Sequence, residues 1–258
     1  MTEGALRLSI FLGVLILMSA LEALFPARDR LQKRSSRWFT NLGLVIIDTL
    51  AIRLLFPIIA VGAALWASTN GWGLLNIISM PTWLAVVLAV IILDMMIYWQ
   101  HVAFHKIPVL WRLHKVHHAD RDLDASSGLR FHPVEIVISM IYKMVVVVAL
   151  GAPVVAVIIF EILLNACALF NHANVRLPGW IERPLRLVMV TPKLHRIHHS
   201  VIERETNTNY GFSVIWWDKI FRSYTDKPKG ELTLGLSEYQ TDAPSNLIWS
   251  LIAPFKKN

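Results

Sequence analysis

The chain has 258 residues, of which 55% are hydrophobic and 17% charged, with a mean hydropathy of +0.51; soluble domains carry about 25% charged residues, so this composition argues against a soluble protein. The net charge of +7 would fit a nucleic-acid partner, but basic loops beside membrane spans explain it better, and we expect no nucleic acid to bind. The single cysteine, Cys167, excludes an internal disulfide framework, a four-cysteine zinc site and a cysteine-ligated iron–sulfur cluster.

Long apolar segments follow one another along the chain and predict about five membrane-inserted helices. The first covers roughly residues 6–25; a cleaved signal peptide is the alternative, although its head, MTEGALR, is not distinctly basic. The second covers roughly residues 42–67 and contains Asp48 and Arg53, so we expect the span to start after Arg53 or to be tilted. The third runs from about Thr82 to Trp99.

The last two apolar segments predict a helical hairpin in the C-terminal half of the chain. Residues 134–150 and 153–170 are separated by Gly151-Ala152-Pro153, which is typical of a tight turn. The sequence therefore predicts an all-α integral membrane fold.

The positions of the basic residues predict which ends of the spans lie in the cytoplasm. Residues 26–37 contain five Lys or Arg residues, whereas residues 68–81 and the turn at Gly151 contain none. By the positive-inside rule, residues 26–37, 101–132 and 172–258 are cytoplasmic. This places every histidine and the C-terminus on the cytoplasmic side of a bacterial inner membrane or of the endoplasmic reticulum.

The histidines occur in patterns that are typical of metal ligands. They form an H-x3-H pair, two H-x2-H-H motifs and two single residues that flank the hairpin. Residues three and four apart share one helical face, so we expect the three histidines of each H-x2-H-H motif to point at one metal. Ten imidazoles suit two metals with about four to five ligands each. The predicted ligands are His101, His105, His114, His117, His118, His132, His172, His195, His198 and His199.

Two alternatives to a two-metal centre account for less of the histidine pattern. Surface histidines at a membrane interface would account for one H-x3-H pair, but not for a set that uses every histidine of the chain. A haem protein needs only about two to four axial ligands, which leaves most of the histidines without a role.

Polar residues inside the third apolar segment continue the histidine pattern. Asp94 and Tyr98 share one helical stripe with His101 and His105. A carboxylate within a span is costly and usually functional. We therefore expect Asp94 to orient a ligand imidazole, and Tyr98 to belong to the same site.

The second helix of the hairpin repeats this arrangement. Glu161 and Asn165 share a stripe with His172, and we expect both to belong to the site, with Glu161 tuning the metals. Glu135 follows His132 by three residues. It lies near the end of a span, where an acid commonly snorkels to the interface or pairs two helices.

Six motifs lie between about residues 90 and 225: DMMIYWQHVAFH, LHKVHH, RFHPVE, NHANV, LHRIHHS and NYGFSVIWWDKIF. In order and spacing they resemble the histidine boxes and the terminal Asn-Tyr-Gly…Trp-Asp segment of the fatty acid hydroxylase superfamily, also called the sterol desaturase family. The family usually ends this last segment with Phe-Gly-Thr, whereas this chain has Phe221-Arg222-Ser223.

The resemblance implies a fatty acid hydroxylase-like catalytic domain at residues 82–258, preceded by N-terminal membrane anchor helices at residues 1–81. Members hold two metals, normally iron, and use O2 and two external electrons to hydroxylate, demethylate or desaturate lipids. The ten histidines carry over as ligands of two Fe ions, for which zinc can substitute. Eight of them belong to the boxes, whereas His132 and His172 are the single residues, of which one or more can act behind the ligands.

The resemblance also implies the partners of the protein. The expected substrate is a membrane lipid of fatty acyl, sterol, alkylglycerol or aminolipid type. The expected electron donor is a separate protein of reductase, ferredoxin or cytochrome b5 type, and the basic cytoplasmic face suits an acidic partner.

Hydroxylation of a membrane lipid is the expected reaction, and three alternatives remain open. A desaturase uses the same ligands and differs in how the substrate sits. A zinc-dependent membrane hydrolase needs fewer ligands and an open water site. A metal transporter would spread its ligands across the depth of the membrane, whereas the predicted ligands cluster on one side.

Overall fold

The computed structural model describes residues 2–256, which form helices joined by short loops. Within these residues the β-type pairings are isolated bridges, and no strand forms. Five helical segments are long and apolar enough to cross a membrane, which confirms the predicted all-α membrane fold and its hairpin. The five segments are Glu3–Leu24, Arg34–Ile77, Thr82–Lys106, Pro133–Leu150 and Val154–His172.

The second of these segments is broken into several helices. The first four helices of the chain are α1 (Glu3–Leu24), α2 (Arg34–Leu55), α3 (Ala60–Thr69) and α4 (Leu74–Ile77). Asp48 and Arg53 both lie inside α2, so the helix itself does not begin after Arg53. The helix ends at Leu55 because Pro57 has no N–H to donate and disfavours a helical conformation of the residue before it.

The remaining helices follow α4 in the chain, and Pro108 and Gly151 set two of their boundaries. These helices are α5 (Thr82–Lys106), α6 (Pro108–His118), α7 (Pro133–Leu150), α8 (Val154–His172), α9 (Gly179–Leu185), α10 (Pro192–His198), α11 (Glu203–Thr206), α12 (Trp216–Ile220) and α13 (Leu247–Ile252). Pro108 starts α6 directly after α5, since a helix's first position needs no N–H. Gly151 ends α7 in the left-handed region, with φ +65°, where glycine is favoured.

Small side chains allow the spans to pack closely around one core. Ala60 of α3, Ala89 of α5 and Ala156 of α8 are buried together with Val147 of α7, and small residues let helix backbones approach each other in membranes. Large apolar side chains such as Leu54, which is 83% exposed, lie on the outside. This distribution suits helices that are surrounded by lipid.

The loops without basic residues meet at one end of the bundle. Gly73 approaches the hairpin turn so closely that a Cβ atom there would lie 2.1 Å from the backbone nitrogen of Gly151. At the other end, Arg37 in the basic N-terminal region pairs with Asp120, two residues after the first H-x2-H-H motif. The predicted grouping of loops at the two ends is therefore observed.

The N-terminal helices take part in the histidine end of the protein. Arg37 of α2 forms buried salt bridges with Asp120 at 2.7 Å and with Asp124 at 2.6 Å. Glu22 of α1 accepts hydrogen bonds from the backbone N–H groups of Ala125 and Asn174. The division of the chain at residue 81 stays a prediction, and buried polar contacts join its two parts.

Candidate metal centre

The histidines lie where four helices end beside each other. His101 and His105 occupy the last turns of α5, and His172 ends α8. The H-x2-H-H motifs form the C-terminal turns of α6 and α10, and each of these short helices begins with a proline. Because both prolines fix the start of the helix, they also fix where the motif at its end lies.

The structure brings nine of the ten histidines together in two buried groups. In each group, one ring nitrogen per residue lies within 4.8 Å of the others. The groups adjoin, since the rings of His118 and His199 stack with their centroids 4.3 Å apart. The five-histidine group contains His101, His105, His114, His118 and His198, and the four-histidine group contains His117, His172, His195 and His199.

Each H-x2-H-H motif serves both groups, which corrects the prediction that its three histidines share one metal. His114 and His118 point into the five-histidine group, whereas His117 points into the other. In the second motif the pair spaced four apart, His195 and His199, joins the four-histidine group. Consecutive helical residues diverge by about 100°, so adjacent histidines cannot face one point.

Backbone carbonyls fix the tautomer of four of these imidazoles. A carbonyl oxygen only accepts, so each Nδ1 at hydrogen-bond distance from it must donate, and each Nε2 then carries a lone pair. The Nδ1–carbonyl pairs are His101 with Tyr210 (2.7 Å), His117 with Arg130 (3.1 Å), His172 with Ala168 (2.7 Å) and His198 with Thr208 (2.8 Å).

These lone pairs face each other at distances that suit shared coordination. The Nε2 atoms of His117 and His172 are 3.0 Å apart, and those of His101 and His198 are 3.2 Å apart. With no proton between them, such nitrogens repel each other unless a cation lies between. Two cis ligands about 2.1 Å from one ion lie roughly 3 Å apart, so both groups fit a metal.

Other ring nitrogens in the two groups are buried without any hydrogen-bond partner in residues 2–256. They include Nε2 of His105 and His114 and both nitrogens of His118 and His199. Burial lowers the pKa of His114 to about 3, so the ring is neutral, as a metal ligand must be. Burial and the neighbouring imidazoles also hold the pKa well below its usual value for His117, His118, His195, His198 and His199.

The carboxylate that contacts a histidine is Glu135, not Asp94. Oε1 of Glu135 lies 2.7 Å from Nδ1 of His114, and both side chains are buried. Asp94 instead accepts a hydrogen bond from the indole N–H of Trp217 at 2.8 Å. Helix α5 turns Asp94 toward α12, and its predicted role in orienting an imidazole stays a prediction. The sequence offered one sign of this contact of Glu135, since Glu135 follows His132 by three residues, but the histidine that Glu135 contacts is His114.

Neither Glu161 nor Asn165 forms a hydrogen bond or ion pair with a histidine within residues 2–256, although Asn165 lines the same cavity as His101 and His114. Glu161 pairs with Arg7 at 2.5 Å and with Lys143 at 2.8 Å. Asn165 donates to the backbone carbonyl of Glu161 at 2.8 Å. The charge of Glu161 is paired within the spans, so the expected tuning of the metals by Glu161 stays a prediction.

Tyr98 packs against Tyr210, which in turn contacts the histidines. Its hydroxyl is 2.8 Å from Oγ of Ser223, and its ring meets that of Tyr210 edge-on, with centroids 6.2 Å apart. The ring of Tyr210 in turn packs against His101 and His105. Tyr98 thus supports the wall of the five-histidine group and contacts none of its nitrogens in the described structure.

His132 is the histidine that lies outside both groups. Its Nδ1 accepts the backbone N–H of Val134, which caps the start of α7, and its Nε2 donates to the carbonyl of Leu251. Both ring nitrogens are engaged, so the structure does not bring His132 to either group, and its role as a ligand stays a prediction. The spacing of a single histidine carried no sign of this capping role.

The Asn-Tyr-Gly…Trp-Asp segment folds around Asp218. This carboxylate accepts the backbone N–H groups of Tyr210 and Gly211 at 2.8 Å each, and the hydroxyl of Ser223 at 2.7 Å. Burial raises the pKa of Asp218 to about 6, against the effect of these hydrogen bonds. Arg222 adopts φ +61°, so this chain places arginine in the left-handed region where the family pattern has glycine.

A cavity of about 520 Å³ leads from the five-histidine group into the spans. His101, His114 and Glu135 lie on its wall, as do Lys143 and Arg7. A second cavity, of about 320 Å³, reaches His105 from the side of the C-terminal region. The site is thus approached from the membrane-spanning part and from the polar part of the protein.

The fold and the site define a class of protein: an all-helical membrane protein with paired histidine groups at one end of its spans. The chain matches the family model "Fatty acid hydroxylase" over residues 86–223, more than half of its length, and it belongs to this family. The predicted resemblance is thereby confirmed, and the chain is an oxidoreductase.

Relatives with described activities agree with this family. The chain is 27% identical over 233 residues to the ornithine lipid hydroxylase OlsE of Rhizobium tropici, covering 87% of this chain and 68% of that protein. It is 29% identical over 150 residues to the alkylglycerol monooxygenase of Homo sapiens, covering 55% of this chain and 30% of that enzyme. No solved structure matches the chain.

The contact between Glu135 and His114 leads to a prediction. Changing Glu135 to Gln is expected to lower metal affinity or turnover by about 10–100-fold, because the amide stabilises the ring orientation less and reduces its basicity. Chelator competition followed by elemental analysis measures the affinity. Asp94→Asn is the comparison, since its partner is Trp217. A greater loss of metal in Asp94→Asn than in Glu135→Gln would contradict the assignment.

Proposed function

We propose that this protein hydroxylates a membrane lipid at a centre of two iron ions, with O2 as co-substrate. The observation that carries the proposal is the cavity of about 520 Å³ that joins the membrane-spanning helices to His101 and His114. A substrate that enters from the bilayer would reach the histidines without crossing water. The two relatives above act on lipids, by name an ornithine lipid and an alkylglycerol.

The five-histidine group would hold one metal and the four-histidine group the other. The donor set fits iron and also zinc, because imidazole binds both. Bound iron would supply the oxidising power for attack on an unactivated C–H bond, which zinc lacks. Protein containing zinc would therefore be the substituted, inactive form of the same centre.

The residues around the histidines would orient the substrate and protect the site. Ile97, Phe104, Phe131 and Leu164 give the cavity apolar walls, which would hold a hydrocarbon chain and exclude water. Glu135 would accept a hydrogen bond from the Nδ1–H group of His114, which leaves the lone pair of Nε2 free for the metal. Carbonyl groups do the same for four further ligands.

The electrons would come from a separate donor of reductase, ferredoxin or cytochrome b5 type. The reaction needs two external electrons, and the single cysteine of the chain is buried in α8. The second cavity brings the polar surface close to His105 and Trp111, so the donor would approach from the side opposite the lipid cavity.

The decisive test is isotopic. Iron-loaded protein in membranes, supplied with a reductase system, NAD(P)H and lipid extract under 18O2, is expected to place one labelled oxygen in a lipid product. A new double bond without label would indicate desaturation instead. Label taken from H2(18)O, with no requirement for O2, would reject the oxygenase and favour a hydrolase.

We also propose that the histidine end and the C-terminus face the cytoplasm, as the basic residues in 26–37 indicate. Reporter fusions after residues 33, 120 and 230 are expected to read inside, and fusions after residues 74 and 152 outside. Opposite readings at 33 and 120 would contradict this topology.

A further inference from the structure

Three residues that line the main cavity each have a buried side-chain oxygen without a hydrogen-bond partner within residues 2–256. These oxygens are Oδ1 of Asp48, Oε1 of Gln100 and Oε2 of Glu135. Asp48 is only 7% exposed and Glu135 only 3%. Burying acceptors without donors is costly, and a carboxylate inside a span is costlier still. The cavity is therefore rich in acceptors that a ligand with donors would satisfy.

Neighbouring contacts hold two of these oxygens free. Glu135 uses its other oxygen for His114, at 2.7 Å. Gln100 donates its amide N–H to Oγ of Ser139 at 2.6 Å, which leaves its carbonyl oxygen unused. Asp48, on α2, lines the same cavity as Glu135. The free acceptors thus belong to the part of the cavity beside the histidines.

The far part of the cavity carries cations that are already paired. Arg7 and Lys143 both pair with Glu161 there, and Arg7 also pairs with Glu3 at 3.1 Å. Lys143 follows Glu135 by eight residues on α7, which corresponds to about 12 Å along the helix. The acids of the far end are engaged by these cations, whereas the oxygens of Asp48, Gln100 and Glu135 are free, so a cationic group would find its acceptors at the histidine end.

We propose that the cavity binds the ammonium group of a lipid head, with Asp48 as its counter-ion and Gln100 and Glu135 as further acceptors. This inference rests on the proposed function and names the class of its substrate: an amino-headed membrane lipid. An ammonium group brings three N–H donors and no acceptor. A hydroxyl group brings one donor, and a phosphate or carboxylate would be repelled by the two acids.

The position of the ammonium group has a consequence for the reaction. Glu135 contacts both the cavity and His114, so a head group bound there lies beside the histidines. Carbon atoms close to the ammonium group, rather than the ends of the acyl chains, are then nearest to the metal centre.

Lipid binding by the purified, metal-loaded protein tests this inference directly. The probes are an N-acyl ornithine, whose side-chain amine is an ammonium, and the same lipid with that amine acetylated. Native mass spectrometry is expected to show at least about tenfold tighter binding of the amino form. Asp48→Asn should weaken it by about 10–100-fold, as for the loss of a charge-assisted hydrogen bond, and leave the acetylated form unchanged.

Two further variants make the result specific. Asp48→Glu keeps the charge and should retain a preference for the amino form, and the exposed Asp226→Asn should behave as wild type. Thermal melting and metal content establish that Asp48→Asn is folded. Equal binding of both lipids by the wild type, or an equal loss of both in Asp48→Asn, would overturn the ammonium site.

Failure of the ammonium site and failure of the proposed function give different results. If a neutral or acetylated lipid is hydroxylated as fast as the amino lipid, hydroxylation stands and the ammonium site is wrong. If no lipid takes up label from 18O2, the proposed function is wrong, while the binding comparison still decides whether the ammonium site exists.

Discussion

Replacing His117 or His198 with alanine is expected to abolish lipid oxidation and to remove metal from one group. His117 belongs to the four-histidine group and His198 to the five-histidine group. Loss of a residue that only supports a ligand costs about 10–100-fold, so loss of a ligand should lower turnover by more than about 100-fold. Elemental analysis should show the metal content falling from about two ions per chain toward one.

The chain provides a matched control for this experiment. His132→Asn removes a histidine that lies outside both groups, and asparagine keeps the capping of α7 because it is a good helix N-cap. This variant should retain both metals and its activity. Total metal must be counted, since zinc competes with ferrous iron for nitrogen ligands. Loss of metal in His132→Asn, together with its retention in His117→Ala, would reverse the assignment.

Arg37→Met is expected to give the largest loss of stability away from the histidines. The change leaves Asp120 and Asp124 buried without their partner, which costs about 3–5 kcal/mol in the free energy of unfolding. For a chain of this size the melting temperature should fall by about 10 °C. Arg34→Met on the same helix is the control, because Arg34 is partly exposed and buried Glu22 keeps the backbone N–H groups of Ala125 and Asn174 without it, so the 3.4 Å contact contributes about 1 kcal/mol or less.

The effect of Arg37→Met should also depend on pH. Burial acts to raise the pKa of Asp120, but Arg37 and Arg130 outweigh it and hold the pKa below its usual value. An acid with a lowered pKa stabilises the fold above the pKa of the unfolded state, about 3.9, and loses this contribution as the pH falls through the folded value. Melting curves should therefore differ most near pH 7 and converge in acid. A constant difference would show that Asp120 is not involved.

Local pattern was sufficient for the helices and for the inventory of histidines. Long apolar segments need little more than their length to become spans, and the hairpin at Gly151 forms where the turn residues predict it. Spacing also pointed to the nine histidines that converge, but it did not set apart His132, which lies elsewhere. Spacing within one helix specifies only the direction in which a side chain points from that helix. It does not specify which neighbouring helix lies there, so it could not predict that Asp94 contacts Trp217 or that Glu161 pairs with Arg7 and Lys143.

An all-helical membrane protein of the fatty acid hydroxylase family, with enough imidazoles for two metals, follows from the sequence without a structure. How the histidines divide follows only from the way the helices pack. His114 and His118 join His198, whereas His117 joins a different helix pair, because the helices cross so that each motif reaches both groups. Packing also places Glu135 against His114 and Asp48 on the cavity wall. Both placements depend on which helices lie side by side, and the sequence spacing between residues on different helices does not specify this.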